Sequence, residues 1–142
     1  MSLKQKKINI SSLLVALFLS LVFFKPVDLF AVGSVDTEAE QVITQYFNAL
    51  INGDTATIRG LLGTRLLKQR SRLLSNPVYG DKLRELYGNA NFEVLSKKVV
   101  SSAAAVVVVE VIYNTNDKAT FKFLLMEESP SGMKIFREDE VL

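Results

Sequence analysis

Three tyrosines and two glutamates are the side chains of this 142-residue sequence best placed for proton chemistry. A carboxyl group serves as a general acid or base when apolar surroundings raise its pKa and an oxyanion donor, such as a tyrosine hydroxyl, stands nearby. Tyr46, Tyr87 and Tyr113 are the candidate donors, and Glu93 and Glu110 the candidate carboxyls. The chain has no histidine and no cysteine. Cys/His nucleophilic sites, serine triads of the usual kind and structural zinc are therefore excluded, and no disulfide can staple the fold. Tyrosines also serve as rims of a core, with an apolar ring inside and a wet hydroxyl outside. That is the role expected of these three, so no catalytic residue, metal site or cofactor is assigned.

The elements that must position these residues begin after an export signal. Lys4, Lys6 and Lys7 form a basic head, Leu13 to Phe24 is apolar except for Ser20, and Ala31-Val32-Gly33 offers small residues for cleavage before Ser34. The apolar run falls short of the roughly 20 residues that span a bilayer; an uncleaved anchor is the alternative. In both cases lysines ahead of the run place Ser34 onward outside the cytoplasm, periplasmic or extracellular. Residues 1–33 hold four of the 17 basic and one of the 15 acidic residues, leaving 13 against 14 in residues 34–142. The basic character belongs to the targeting segment and gives no reason to expect nucleic acid. The remainder suffices for one domain.

Thr37-Glu38-Ala39-Glu40 has the pattern of a capping box. Ala39, Val42, Ile43, Tyr46, Phe47 and Leu50 then recur at the spacing of one apolar helical stripe. Gly53 should end this helix and Asp54 should cap a second, with Ile58, Leu61 and Leu62 inward. Residues 64–75 predict a third, with Leu66, Leu67, Leu73 and Leu74 apolar and Arg65, Lys68, Arg70 and Arg72 on a solvated face, the alternative being that these four cations bind a phosphate or an anionic lipid head group. Asn76-Pro77 breaks it, and Asp81 to Tyr87 forms the last helical turns.

From Phe92 the period changes to two, and four strands are expected over 92–100, 103–113, 119–127 and 133–137. With Asn116 at the apex of the central hairpin, Val111 meets Phe121, Val109 meets Phe123 and Glu110 meets Lys122. The odd-numbered face, Val107 to Tyr113 and Phe121 to Leu125, is then an uncharged core face. The even face is only half polar. Val106, Val108, Leu124 and Met126 make an apolar patch suited to a partner, either a second copy or an envelope protein.

Helices followed by a long antiparallel meander resemble the nuclear transport factor 2-like superfamily. The features that carry the resemblance are the helix Glu40 to Leu50 leading into Asn52-Gly53-Asp54, the alternating strand Ala105 to Tyr113, and Gly132-Met133-Lys134-Ile135, similar to the family's closing strand with Met133 where tryptophan is usual. The resemblance implies an α+β cone, in which N-terminal helices pack on a strongly curved antiparallel sheet around an apolar cavity. Members include enzymes, small-ligand binders and dimerisation modules, so the fold does not choose the function. Ketosteroid isomerase-like and polyketide cyclase-like members use cavity carboxylates. Here the core-facing positions of the two central strands carry no charge. The expected function is non-enzymatic binding of a small apolar or amphipathic ligand between helix and sheet, with Tyr46, Leu50, Tyr87, Tyr113 and Phe123 lining the site. An interaction module is the alternative, and a cofactor-free acid/base enzyme a more distant one.

Overall fold

Alternating residues from Asn91 onward build a four-stranded antiparallel meander, and the segment before it folds into helices that cover one sheet face. The computed structural model describes residues 29–141, with side chains from Ser34. The basic head and the apolar run of the export signal lie outside the described residues. Helix α1 spans Leu29–Asn52, α2 Thr55–Leu61, α3 Thr64–Leu74 and α4 Tyr79–Tyr87. Strands β1 (Asn91–Ser101), β2 (Ala104–Ile112), β3 (Lys118–Glu127) and β4 (Met133–Val141) pair in sequence order. The chain is thus α+β, as its pattern implies.

Two expectations about local structure are corrected. The four residues 37–40 lie inside α1 and not at its start, because the helix already runs from Leu29, and it buries Val35 as well as Ala39. Glu38 and Glu40, with the preceding Asp36, tie the helix to the sheet instead. Glu38 Oε1 accepts the Met133 backbone N–H at 2.9 Å, and Lys97 of β1 bridges Asp36 and Glu40 at 3.0 and 2.5 Å. The second correction is the hairpin register. Val109 opposes Phe121, Val107 opposes Phe123, and Glu110 opposes Thr120 while its side chain pairs with Lys118. Every pair has moved by two residues. The cause is the turn: Tyr113 N–H donates to the Asp117 carbonyl, and Asn116, at φ 63°, takes the left-handed position that ends a three-residue loop. A shift of two preserves side-chain parity, so the faces stand as expected.

The core lies between α1 and the odd face. Val107, Val109, Val111, Phe123, Leu125 and Ile135 are fully buried. Phe47 stacks on Phe92 (4.8 Å between centroids) and meets Phe123 edge-on (5.8 Å). Other expected features are present: Gly53 ends α1 with φ 64°, and Asp54 caps α2 by accepting the Thr57 N–H at 3.0 Å. Ile58, Leu61 and Leu62 are buried.

Bulges shape the sheet. Register shifts at Leu95 and Val100 bend β1, and a third on β4 at Phe136 lies between the Leu125–Ile135 and Leu124–Arg137 pairs. That extra residue reverses the parity of β4. Met133 and Ile135 face the core before it; after it, Glu138 opposes Phe123 and faces the core side.

Candidate functional site

Helical spacing brings the first polar cluster to the open end of the core. Tyr46 stands between Val42 and Leu50 on the buried stripe of α1, and Arg70 stands in line with the buried Leu66 and Leu74 of α3. The bulge on β4 aims Glu138 at both. Arg70 Nη1 lies 2.8 Å from Glu138 Oε2 and donates to the Tyr46 hydroxyl at 3.0 Å. Tyr46 in turn donates to Glu138 Oε2 at 3.1 Å. The Arg70 and Glu138 side chains are 31% and 14% exposed, so the pair is sheltered without being sealed.

Burial sets the protonation of this cluster. Removal from water, reinforced by the Glu138 carboxylate, pushes the Tyr46 phenol far above the alkaline range despite Arg70, so it stays a neutral donor. Burial disfavours the Arg70 charge, but Glu138 and Tyr46 outweigh it and raise the guanidinium's pKa. Burial also raises the Tyr87 and Tyr79 phenols, with Tyr113 adding to the effect at Tyr87.

Beside the cluster is a cleft of about 280 Å³ between α1, α3, α4 and β4. Leu50 and Leu83 give it an apolar floor, and Tyr79, Lys82 and Tyr87 of α4 form one wall. Leu73 and Leu86 stand at its lip, 46% and 54% exposed. The wall is held by a close backbone approach: a Cβ on Gly80 would meet the Gly53 carbonyl oxygen at 2.6 Å, so α4 docks on the end of α1 only without side chains at that crossing. Helix α3 is fixed from the other side. The Glu128 carboxylate accepts from the Thr64 hydroxyl (2.6 Å) and N–H (3.3 Å), which holds its pKa below the usual range. Gly63 donates to the Ile135 carbonyl at 2.9 Å and lets the Phe136 ring approach, since a Cβ there would lie 2.9 Å from it.

Of the five residues expected to bind ligand, Tyr46, Leu50 and Tyr87 line this cleft. Phe123 is fully buried beneath Tyr46 (5.9 Å, edge-on), and Tyr113 backs Tyr87 at 5.7 Å. The candidate carboxyls lie elsewhere: Glu93 and Glu110 oppose each other on β1 and β2. On the outer face Val106 and Leu124 form a direct pair and are partly exposed, as is Val108, which opposes Lys122; Met126 is 39% exposed. Sequence reasoning put Arg70 on a solvated face, whereas it turns to Glu138 and Tyr46, and it missed Tyr79, Lys82 and Glu138. Arg70 was detectable from its place between Leu66 and Leu74, whereas Glu138 depends on a bulge that strict alternation conceals. Among the described residues no cluster of three or more acidic side chains could hold a metal.

No protein-family model matches the chain, and no curated protein matches it in sequence. Solved structures do. A Shewanella frigidimarina protein described as a "putative ketosteroid isomerase" superposes with a TM-score of 0.60 at 13% identity, covering 75% of this chain and 97% of its own. A nuclear transport factor 2-like superfamily protein from Salmonella enterica serovar Typhimurium gives 0.54 at 13% identity, covering 77% and 91%. The chain has the nuclear transport factor 2-like fold.

Proposed function

We propose that this nuclear transport factor 2-like domain binds a small amphipathic molecule in the cleft beside Tyr46, Arg70 and Glu138. The supporting observation is the cleft's division into an apolar floor, Leu50 and Leu83, and a polar wall whose groups are fixed by one another. Small-ligand sites combine apolar lining with a few placed polar groups in this way, although about 280 Å³ suits only a small occupant. Proton transfer is less well supported. The cleft carboxylate is held by Arg70 and accepts from Tyr46, whereas a general base needs a carboxyl with apolar surroundings and a proton to reach.

The domain acts outside the cytoplasm in this proposal, because Lys4, Lys6 and Lys7 precede the apolar run Leu13 to Phe24. Cleavage before Ser34 would leave every core residue among the described side chains, from Val35 onward, in the mature chain. Native mass spectrometry of the protein isolated from its own envelope tests both statements. A mass beginning near Ser34 with a small molecule retained is expected. A full-length membrane-bound chain would contradict cleavage, and a bare mass that no amphipathic probe increases would contradict binding.

The outer sheet face supports a second role, association with a second copy. Val106, Leu124 and Met126 form its apolar part, and Lys122, Arg137 and Asp139 border a groove there. Because Val108 opposes Lys122, Val106 is the better probe. Light scattering should give a dimer for the wild type and a folded monomer for Val106→Lys. A wild type that stays monomeric at high concentration excludes the dimer.

A further inference from the structure

The geometry points to a carboxylate carried on an apolar tail as the molecule selected by the Arg70–Lys82 cleft, an inference that rests on the binding role proposed above. Its ionic side chains are Arg70, Lys82 and Glu138, two cations against one anion. Tyr46 adds no negative charge, since burial keeps its phenol protonated, and its hydroxyl proton is already directed at Glu138. Arg70 uses Nη1 alone for both of its contacts. Its remaining guanidinium N–H groups and the Lys82 ammonium have no protein partner among the described residues, so the unspent polar capacity of the cleft is cationic and donor-rich. A guanidinium already fixed on one edge presents its other N–H groups in a rigid planar fork, which matches the two oxygens of a carboxylate. Lys82 supplies a second, mobile charge from the facing wall.

The lip accounts for the tail. Leu73 and Leu86 are about half exposed, on α3 and α4 respectively, and flank the entrance from opposite sides. A short alkyl chain lying between them and the floor at Leu50 and Leu83 would remove apolar surface from water on both walls. A cationic head would instead face two like charges, and a neutral head would forgo the charge-assisted bonds.

Three probes with one tail separate these possibilities: octanoate, octan-1-ol and octylammonium, titrated by calorimetry into the full-length chain. Octanoate is expected to bind about ten-fold tighter than octanol, with an advantage that shrinks as salt is added. Lys82→Met, at an exposed position outside the core, should remove most of that advantage, read as the ratio of octanoate to octanol affinity. Arg70→Met should act in the same direction, with circular dichroism reporting whether the fold survives loss of the Glu138 partner. Equal affinity for octanoate and octanol, or a Lys82→Met chain that still prefers octanoate as strongly, would overturn the carboxylate inference while leaving binding intact. Preference for octylammonium would overturn it in favour of Glu138 as the governing charge. If none of the three binds, the binding role itself falls.

Discussion

Tyr46 and Phe47 are neighbours on α1, their rings 5.7 Å apart, and both touch Phe123, yet they face different ends of the core. Phe47 faces the closed end, where it stacks on Phe92 and meets Phe123 edge-on. Tyr46 faces the open end, where Arg70, Glu138 and α4 surround a cleft. The closed end gains stability from dry packing and is indifferent to pH. The open end holds three polar groups away from bulk water, which costs desolvation that their mutual bonds must offset. A fold stabilised only for packing would have leucine at these three positions; the polar cluster is therefore the place to look for binding.

Phe47→Ala should produce the largest effect. Removing a buried ring that packs on three others costs about 3–5 kcal/mol, much of a small domain's stability, and no disulfide is present to compensate. Urea unfolding measures it; an unchanged midpoint would remove Phe47 from the closed end.

Glu138→Ala should come next, leaving the Arg70 charge sheltered and unpaired. A fully buried orphan charge costs about 3–5 kcal/mol, but Arg70 is exposed enough to recruit water, so about 2 kcal/mol is expected. The triple replacement Tyr46→Phe, Arg70→Met and Glu138→Leu, which leaves no member of the cluster unpaired, should return close to wild-type stability while weakening ligand selectivity. A triple variant as unstable as Glu138→Ala would mean that the cluster is structural rather than retained for binding.

The contrast between the two ends also separates what the sequence makes legible from what it does not. The closed end follows from periodicity alone. The stripe of α1 and the odd positions of β2 and β3 were both readable, and even a register wrong by two residues left Val107, Val109 and Phe123 on the correct face. The open end depends on departures from periodicity. The bulge at Phe136 turns Glu138 inward, and β4 continues to Val141, beyond the residues whose alternation marks it as a strand. Arg70 was hidden for a different reason: charge in a helix suggests solvent, and only its i±4 relation to Leu66 and Leu74 argues otherwise. The capping pattern at Thr37 misled because the same residue types, inside a helix, serve as tethers to β1 and β4.

Tyr46→Phe should have the smallest effect, about 1 kcal/mol at neutral pH for the lost hydroxyl bonds, and a distinctive pH signature. The folded phenol's pKa lies far above its ordinary 10.0, so the unfolded chain releases this proton first as pH rises. The resulting stabilisation is complete below pH 10 and is lost progressively above it. Stability of the wild type should therefore fall on the alkaline side, and less so in Tyr46→Phe, with Tyr87 contributing to the remaining slope. Parallel alkaline profiles for the two proteins would show that Tyr46 is not buried as described.

The most direct test of the open end as a binding site is a nuclear magnetic resonance titration of the full-length chain with octanoate, observing side-chain signals at both ends at once. The expected result is saturable shifts at Arg70, Tyr79, Leu83, Leu86 and Tyr87, with Phe92, Val107 and Val109 unmoved. Shifts confined to Val106, Leu124 and Met126 on the outer face, or none at millimolar octanoate, would contradict it.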